Sequence, residues 1–159
     1  MSTQNRDDKR PDGQPYPLMA RRLGYLLKHA QLRLSELTAS ALAPFGISGR
    51  EVAVLIAIDD RDPLSQGDVA RRMGVDRTTM VALIDELQHK GLVQRRPDPG
   101  DRRKNVVELT DVGRDTLRRA SRAGEEAEQL FLSPLSADET ERFREALHSL
   151  LSGARTGSG

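Results

Sequence analysis

The stretch from Ser65 to Leu87 constrains the fold most, because its pattern predicts two short helices joined by a tight turn. Ser65 and Asp68 have the spacing of a capping box, in which each side chain accepts a hydrogen bond from the other residue's backbone amide. Gly74 ends the first helix, and Asp76 can cap the second. The apolar residues of the second helix recur every three or four positions, at Met80, Leu83, Ile84 and Leu87. This combination predicts a helix-turn-helix.

The opposite face of the second helix is polar near its N-terminus, where it carries Arg77, Thr78, Val81 and Asp85. Backbone amides and short polar side chains at a helix N-terminus suit contacts with phosphates and base edges. We therefore predict DNA contacts from Arg77, Thr78 and Thr79, with Val81 making an apolar contact such as one to a thymine methyl group. The same helix pair could instead be a packing unit or a protein-binding module.

A basic hairpin is predicted directly after the helix pair. Two strand-like runs, Leu92–Arg96 and Asn105–Thr110, flank the turn-forming segment Pro97–Asp101, and Leu64 is expected to add a short third strand. Between positions 90 and 104, six basic residues against two acidic ones leave a local charge of +4, in a chain whose net charge is +1. The basic residues are Lys90, Arg95, Arg96, Arg102, Arg103 and Lys104. Of these, Arg95, Arg96, Arg102 and Lys104 are better candidates for solvated or phosphate-facing side chains than for base readers.

Longer helices flank this unit. One is predicted from about residue 17 to residues 44–46, and another begins at a capping box that starts with Ser48. After the hairpin, Thr110 can cap a long helix, which Ser133–Ser136 separates from a last helix. Because the first and last helices both carry surplus apolar surface, they suggest a partner subunit.

Composition excludes several classes of function. The chain has 159 residues, enough for one compact domain, and no cysteine, which rules out disulfides, thiolate metal sites and cysteine-based redox sensing. Aromatic residues make up 3%, too few for the stacked rings of single-strand or RNA-binding platforms. His29, His89 and His148 lack ligand spacing, so we expect no metal and no cofactor. No catalytic motif is present, and we expect no enzyme.

The sequence also bounds the location of the protein. No apolar run approaches the ~20 residues that span a bilayer, and the polar, acidic N-terminus does not have the pattern of a signal peptide. We therefore expect a soluble, cytoplasmic protein. Its near-neutral total charge argues against a general polyanion binder and favours binding through one basic face.

The helix pair and the hairpin together match the motifs of a known family. The matching residues are Asp68-Val69-Ala70 with Gly74-Val75-Asp76-Arg77-Thr78-Thr79, then Leu87 with Lys90-Gly91-Leu92-Val93 and Arg96, and then Asp101-Arg102-Arg103 with Leu109-Thr110 and Gly113. They resemble the MarR family of bacterial winged-helix transcriptional regulators. The most specific part of the match is the wing pattern D-x-R followed by L-T-x-x-G.

The resemblance implies a mainly α fold with a small β-wing, in which a winged helix-turn-helix domain joins a helical dimerisation region. The predicted boundaries are flexible tails at 1–15 and 153–159, dimerisation helices at 16–46 and 111–152, and a DNA-binding domain at 47–110. A two-fold homodimer presents two recognition helices to major grooves that recur about every 10 base pairs. The implied function is therefore sequence-specific regulation of transcription, most often repression, at an inverted repeat in double-stranded DNA.

The resemblance also implies regulation by a ligand. In the family, small anionic aromatic effectors often enter a cleft between the dimer helices and the winged domain, and change the distance between recognition helices. Tyr25, His29 and Arg33 are candidates for lining this pocket, because they combine polar tips with apolar surface. Two alternatives are a constitutive architectural DNA-binding protein without a ligand and a winged-helix protein-interaction module.

The wing provides the first test. The resemblance places Arg103 in the minor groove at the wing tip, with Asp101 pairing with it and fixing its direction. Replacing Arg103 by Ala should weaken binding to every duplex sequence, most strongly at low salt, because a positive charge is lost from the groove. Polarisation titrations across a salt series measure this, and an unchanged affinity and salt slope would contradict the wing assignment.

Overall fold

The computed structural model describes residues 21–59, 64–98, 100–101 and 105–153. Within those ranges it has six α-helices and a three-stranded antiparallel sheet. The helices are α1 Leu23–Leu42, α2 Gly49–Ile58, α3 Gln66–Met73, α4 Arg77–His89, α5 Asp111–Leu132 and α6 Ala137–Gly153, and the strands are β1 Leu64–Ser65, β2 Val93–Pro97 and β3 Asn105–Leu109. The chain divides into two compact units, Met1–Arg33 and Leu34–Gly159.

Taken one at a time, the described helices are too short or too polar to cross a membrane. A pair bent by 70°, made of residues 23–45 and α2, meets the length and composition of a span.

Short polar residues set where the helices begin. The Ser48 side chain accepts from the Glu51 amide at 3.2 Å, and Glu51 accepts from the Ser48 amide at 2.8 Å. Ser65 and Asp68 form the same box, with distances of 3.2 Å and 3.1 Å. Each box satisfies backbone amides that a helix start leaves without partners, which fixes the first residues of α2 and α3. Both predicted capping boxes are confirmed.

The turn between α3 and α4 has the predicted form. Gly74 adopts a left-handed backbone with φ of 63°, and its amide closes α3 by donating to the Ala70 and Arg71 carbonyls. Asp76 then caps α4, accepting from the Thr79 amide at 2.9 Å. The predicted helix-turn-helix is confirmed.

The sheet has the order β1-β3-β2. Leu64 pairs with Val107, which confirms the predicted short third strand, and β2 pairs with β3 from Val93 opposite Leu109. The predicted strand boundaries are wrong by one residue at each end of β2 and at the end of β3. Thr110 leaves the sheet because its side chain caps α5, and the Leu92 amide donates to Leu87 at the end of α4.

The core of the second unit lies around the apolar face of α4. Met80, Ile84 and Leu87 have no exposed surface, and Leu83 packs at the edge of the same cluster. Burial of such side chains is the main favourable term in folding, so this face holds α4 in place. Other elements contribute Val54 and Leu55 from α2, Val69 from α3, Val93 from β2, and Val107 and Leu109 from β3.

The flanking helices end close to the predicted positions. After α1, the 3₁₀ turn Ala43–Phe45 closes at Gly46, and residues 133–136 separate α5 from α6. α6 includes Gly153, which the sequence places in the C-terminal tail. The predicted helix start near residue 17 and the tails at 1–15 and 154–159 lie outside the described residues. The domain boundaries stay predictions.

α5 begins in close contact with the base of the wing. The Thr110 hydroxyl donates to the Gly91 carbonyl at 2.7 Å and accepts from the Gly113 amide at 2.9 Å. Gly113 is buried against this junction, and a Cβ added there would overlap the Leu92 carbonyl oxygen and carbon. The L-T-x-x-G pattern therefore has a packing reason, since its glycine permits this approach of helix to strand.

Replacing Gly113 by Ala should lower the free energy of unfolding by about 1–3 kcal/mol, because the Leu92 backbone must move to admit the methyl group. Urea unfolding followed by circular dichroism measures it. Gly67→Ala is the matched control, since the nearest atom to its Cβ is Ser65 Oγ at 3.8 Å. That variant should be neutral or stabilised by up to about 1 kcal/mol. Equal effects at the two positions would contradict the packing explanation.

Candidate nucleic-acid interface

The exposed face of α4 presents most of the predicted recognition residues. Arg77 and Thr78 are exposed in its first turn, and Val81 is half-buried one turn later. The buried face of the same helix contains Met80 and Ile84, which fixes the direction in which the exposed residues point. The N-terminal turn of α4 therefore offers side chains and backbone amides from one rigid element.

Thr79 completes the cap of α4. Its hydroxyl donates to Asp76 Oδ2 at 2.6 Å, and its amide donates to Asp76 Oδ1 at 2.9 Å. Hydrogen bonds from Thr79 hold the pKa of Asp76 below its usual value, with the hydroxyl making the larger contribution and the amide the smaller one. The proton of this hydroxyl is used within the helix start, so any contact that Thr79 makes with DNA has to use its oxygen as an acceptor.

Arg95 is held against the helices. Its guanidinium donates to Asp85 and Gln88 on α4, and the Arg95 side chain is 23% exposed. The Gln66 amide also faces this group, and its oxygen accepts from Arg95 Nη2 at 3.0 Å in the orientation that satisfies both side chains. From the sequence we expected Arg95 to be solvated or to face a phosphate. The structure instead gives it partners on α3 and α4.

Arg96 lies on the other side of the wing. Its Nε is 3.3 Å from Glu108 Oε2, and the Arg96 side chain is 62% exposed. An ion pair at this exposure contributes little to stability, so the guanidinium can exchange partners at small cost.

Carboxylates outside the segment partly offset the local charge of +4 between positions 90 and 104. Lys90, Arg95 and Arg96 each have a carboxylate partner outside the counted segment, namely Glu51, Asp85 and Glu108. In the part of this segment that the structure describes, each basic side chain therefore lies beside a carboxylate that the local count did not include.

The wing turn is described in part. Asp98 Oδ1 accepts from the Gly100 amide at 2.7 Å, which is a local turn contact, and Asp101 is half-buried. The predicted wing residues Arg102, Arg103 and Lys104 lie outside the described residues.

A part-buried ion pair joins the C-terminal end of α4 to α2. Lys90 Nζ lies 2.6 Å from Glu51 Oε1 and donates to the Gly46 carbonyl at 2.9 Å. Glu51 is 6% exposed. Burial raises the pKa of Glu51, but hydrogen bonds from Lys90 and Ser48 outweigh it and leave the pKa below its usual value. The hydrogen bond to Glu51 raises the pKa of Lys90.

Sequence reasoning identified Glu51 as a helix cap and Lys90 as a wing charge, and it missed their pairing. They are 39 residues apart, and no local pattern links residues at that separation.

The candidate effector residues belong to the first unit. The rings of Tyr25 and His29 are 4.0 Å apart between centroids, and Arg33 follows one turn later on α1. The second unit has its own cavity of about 320 Å³, lined by Leu34, Thr38, Leu42, Gly49, Val52, Ile56, Ala120, Ser121, Gly124, Glu125 and Glu128. The three predicted residues are not among its lining.

No group of three or more histidine or acidic side chains that could hold a metal ion occurs in the part of the chain that the structure describes.

Known proteins share this arrangement. A sequence model of the MarR family matches residues 45–104. The HTH-type transcriptional repressor NicR of Pseudomonas putida is 30% identical over 128 residues, which cover 80% of this chain and 80% of NicR. The repressor CouR solved on a 23-mer DNA duplex has a TM-score of 0.76 at 33% identity, covering 90% of this chain and 99% of that one. CouR from Rhodococcus jostii bound to p-coumaroyl-CoA has a TM-score of 0.71 at 28% identity, and the match covers 85% of this chain and 95% of that CouR chain.

A helix-turn-helix followed by a β-hairpin, with β1 completing the sheet, defines a winged helix-turn-helix protein. The extent of the similarity to NicR narrows the class further. The chain belongs to the MarR family of transcriptional regulators.

Removing the charge of Lys90 should be strongly destabilising. Lys90→Met leaves Glu51 buried without its cation, and we expect the free energy of unfolding at neutral pH to fall by about 2–4 kcal/mol. Arg71→Met is the control, since the Arg71–Asp68 pair is exposed and its loss should cost less than about 1 kcal/mol.

The effect of Lys90→Met should depend on pH. Because the pKa of Glu51 is lower in the folded than in the unfolded chain, its ionised carboxylate stabilises the fold at pH values above the unfolded pKa. This stabilisation is lost as pH falls through the folded pKa. The difference in unfolding free energy between wild type and Lys90→Met should therefore shrink below about pH 4. Urea unfolding between pH 3 and 8 measures it. A difference independent of pH would contradict the ion-pair explanation.

Proposed function

We propose that this chain is a homodimeric, sequence-specific DNA-binding repressor that acts in the bacterial cytoplasm on an inverted-repeat operator. The observation that carries the proposal is α4, which buries Met80, Ile84 and Leu87 completely and exposes Arg77 and Thr78 at its N-terminus. NicR is named a repressor, and CouR has been solved on a DNA duplex. The proposal assigns no catalytic reaction to this chain.

Each recognition residue has a role in this proposal. Arg77 and Thr78 contact phosphates and base edges at the start of α4, where backbone amides are also available. Thr79 fixes the helix start and offers its oxygen as an acceptor. Val81 meets an apolar base edge such as a thymine methyl group. On the wing, Arg96, Arg102 and Lys104 approach the phosphate backbone, while Arg103 enters the minor groove in a direction fixed by Asp101.

Dimerisation is proposed from exposed apolar side chains on the terminal helices. Within α6, Leu150 and Leu151 are 66% and 71% exposed, and in α1 Leu23 is 66% exposed. Apolar side chains exposed on several turns of a helix favour burial against another chain. A second copy related by two-fold symmetry would cover both helices and bring two α4 helices to one duplex.

We further propose that a small anionic aromatic effector weakens DNA binding. CouR binds p-coumaroyl-CoA, which combines an aromatic group with phosphates. Tyr25, His29 and Arg33 offer an aromatic ring, an imidazole and a cation on successive turns of α1. The cavity in the second unit has Glu125 and Glu128 among its lining and no basic side chain, so it suits an anion less well.

The test begins with duplexes selected from a random pool by the full-length protein. We expect an inverted repeat whose half-site centres lie about 10 base pairs apart, or a multiple of that. Sedimentation should show a dimer. Arg77→Ala should weaken binding to the selected duplex about 10-fold or more. Arg142→Ala on α6 is the control, because Arg142 is exposed and pairs with Asp138.

The outcomes separate the alternatives. Tight duplex binding without an enriched sequence would identify an architectural DNA-binding protein. Absence of duplex binding at low salt would identify a protein-interaction module and would overturn the proposal.

A further inference from the structure

We propose that Arg95 is a positioning residue that fastens the wing to α4 and masks the charge of Asp85, without itself contacting DNA. This inference rests on the proposed function, because it assigns a role within DNA recognition. The observations that support it are the face of β2 on which Arg95 lies, its partners, and the location of Asp85.

The alternation of β2 directs Arg95 inward. Side chains two apart on a strand share a face, so Arg95 lies on the same face as Val93, which is 2% exposed. Arg95 also pairs in register with Val107 on β3, which belongs to the same core cluster as Val93, whereas the register partner of Arg96, Val106, is buried outside that cluster. Arg96 lies on the opposite face beside Glu108. Consecutive arginines of the wing therefore have different surroundings.

The guanidinium of Arg95 joins three elements. One nitrogen donates to Gln88 and another to Asp85, both on α4, while Gln66 on α3 accepts from the same group. A planar guanidinium can serve several acceptors at fixed angles, which a lysine cannot do. This cluster, Arg95 with Asp85, Gln88 and Gln66, is called the wing clamp. It fixes the wing relative to the helix that carries Arg77.

Asp85 gives the wing clamp an electrostatic role. It lies eight residues after Arg77 on α4, and its side chain is 58% exposed. An unpaired carboxylate on a helix in the major groove would repel phosphates. Arg95 cancels this charge. To reach a phosphate, Arg95 would have to leave its partners and uncover Asp85. Arg96 would leave only an exposed ion pair with Glu108 and the amide of the neighbouring Gln94.

The experiment removes the two charges separately and together. Arg95→Gln should weaken binding to the selected duplex roughly tenfold, because Asp85 is uncovered and the wing is loosened. Asp85→Asn should leave affinity within about threefold of wild type, since Gln88 and Gln66 still hold Arg95. Asp85→Asn/Arg95→Gln keeps the net charge of the protein. It should bind more tightly than Arg95→Gln, because no carboxylate is uncovered, but more weakly than wild type, because the wing is still loosened, and its salt slope should be unchanged.

Arg96→Gln is the matched control, because it removes the neighbouring wing arginine, which lies on the opposite face of β2 and is exposed. Its salt slope should fall by about 0.9 per protomer, as expected when one phosphate contact is lost. Hydrogen exchange without DNA is the second readout. Amides of β2 should exchange faster in Arg95→Gln than in Arg96→Gln.

Three results would overturn the inference. One is a double variant as weak as Arg95→Gln, with a salt slope reduced by about 0.9 per protomer, which would show a phosphate contact. Another is tighter binding by Asp85→Asn, which would show that the freed guanidinium reaches the duplex. The third is equal exchange of β2 amides in Arg95→Gln and Arg96→Gln. Failure of the wild type to bind any duplex would overturn the proposed function instead, and the exchange measurement would still test the wing clamp.

Discussion

The burial of one face of α4 is the interaction on which the rest of this structure depends. Met80, Ile84 and Leu87 have no exposed surface, and they lie in a core to which α2, α3 and the sheet all contribute. This burial fixes the rotation of α4 about its own axis, because turning the helix would expose large apolar side chains. The exposed face containing Arg77 and Thr78 is thereby set by the apolar residues behind it.

Two ion pairs refine this arrangement at different points. Lys90 and Glu51 fasten the C-terminal end of α4 to α2, and Arg95 fastens the wing near the middle of α4 through Asp85. The carboxylate of the first pair is buried, so loss of its cation is costly, while the carboxylate of the second pair is exposed, so the direct effect of that pair on stability is smaller. The two pairs therefore differ in purpose: one secures the fold, and the other sets geometry and charge at the interface.

Local sequence rules accounted for most of the fold. The capping boxes at Ser48 and Ser65, the left-handed Gly74 and the helical spacing in α4 are all encoded within a few residues, and each is confirmed. The short strand at Leu64 also followed from the hairpin that it joins. Errors of one residue in the strand boundaries arose where Thr110 and Leu92 take part in helix ends as well as in the sheet.

The site was less predictable, because charge counting along the chain does not show which charges meet in space. Lys90 and Arg95 were counted with the wing, and both are paired with acidic residues of the helices. For Arg95, the alternation of β2 contained the missing information, since it shares a face with Val93. For Lys90 the partner is 39 residues away, so its role depends on the tertiary fold.

The contact between Gly113 and the Leu92 backbone holds the start of α5 against the base of the wing. α5 has 22 residues and is therefore about 33 Å long. A rotation of about 5° about that contact would move its far end by about 3 Å, by the same helix geometry. Any difference in tilt between α5 and the wing would therefore be largest at the C-terminal end of α5, because the missing side chain at position 113 keeps the N-terminal end close to the Leu92 backbone.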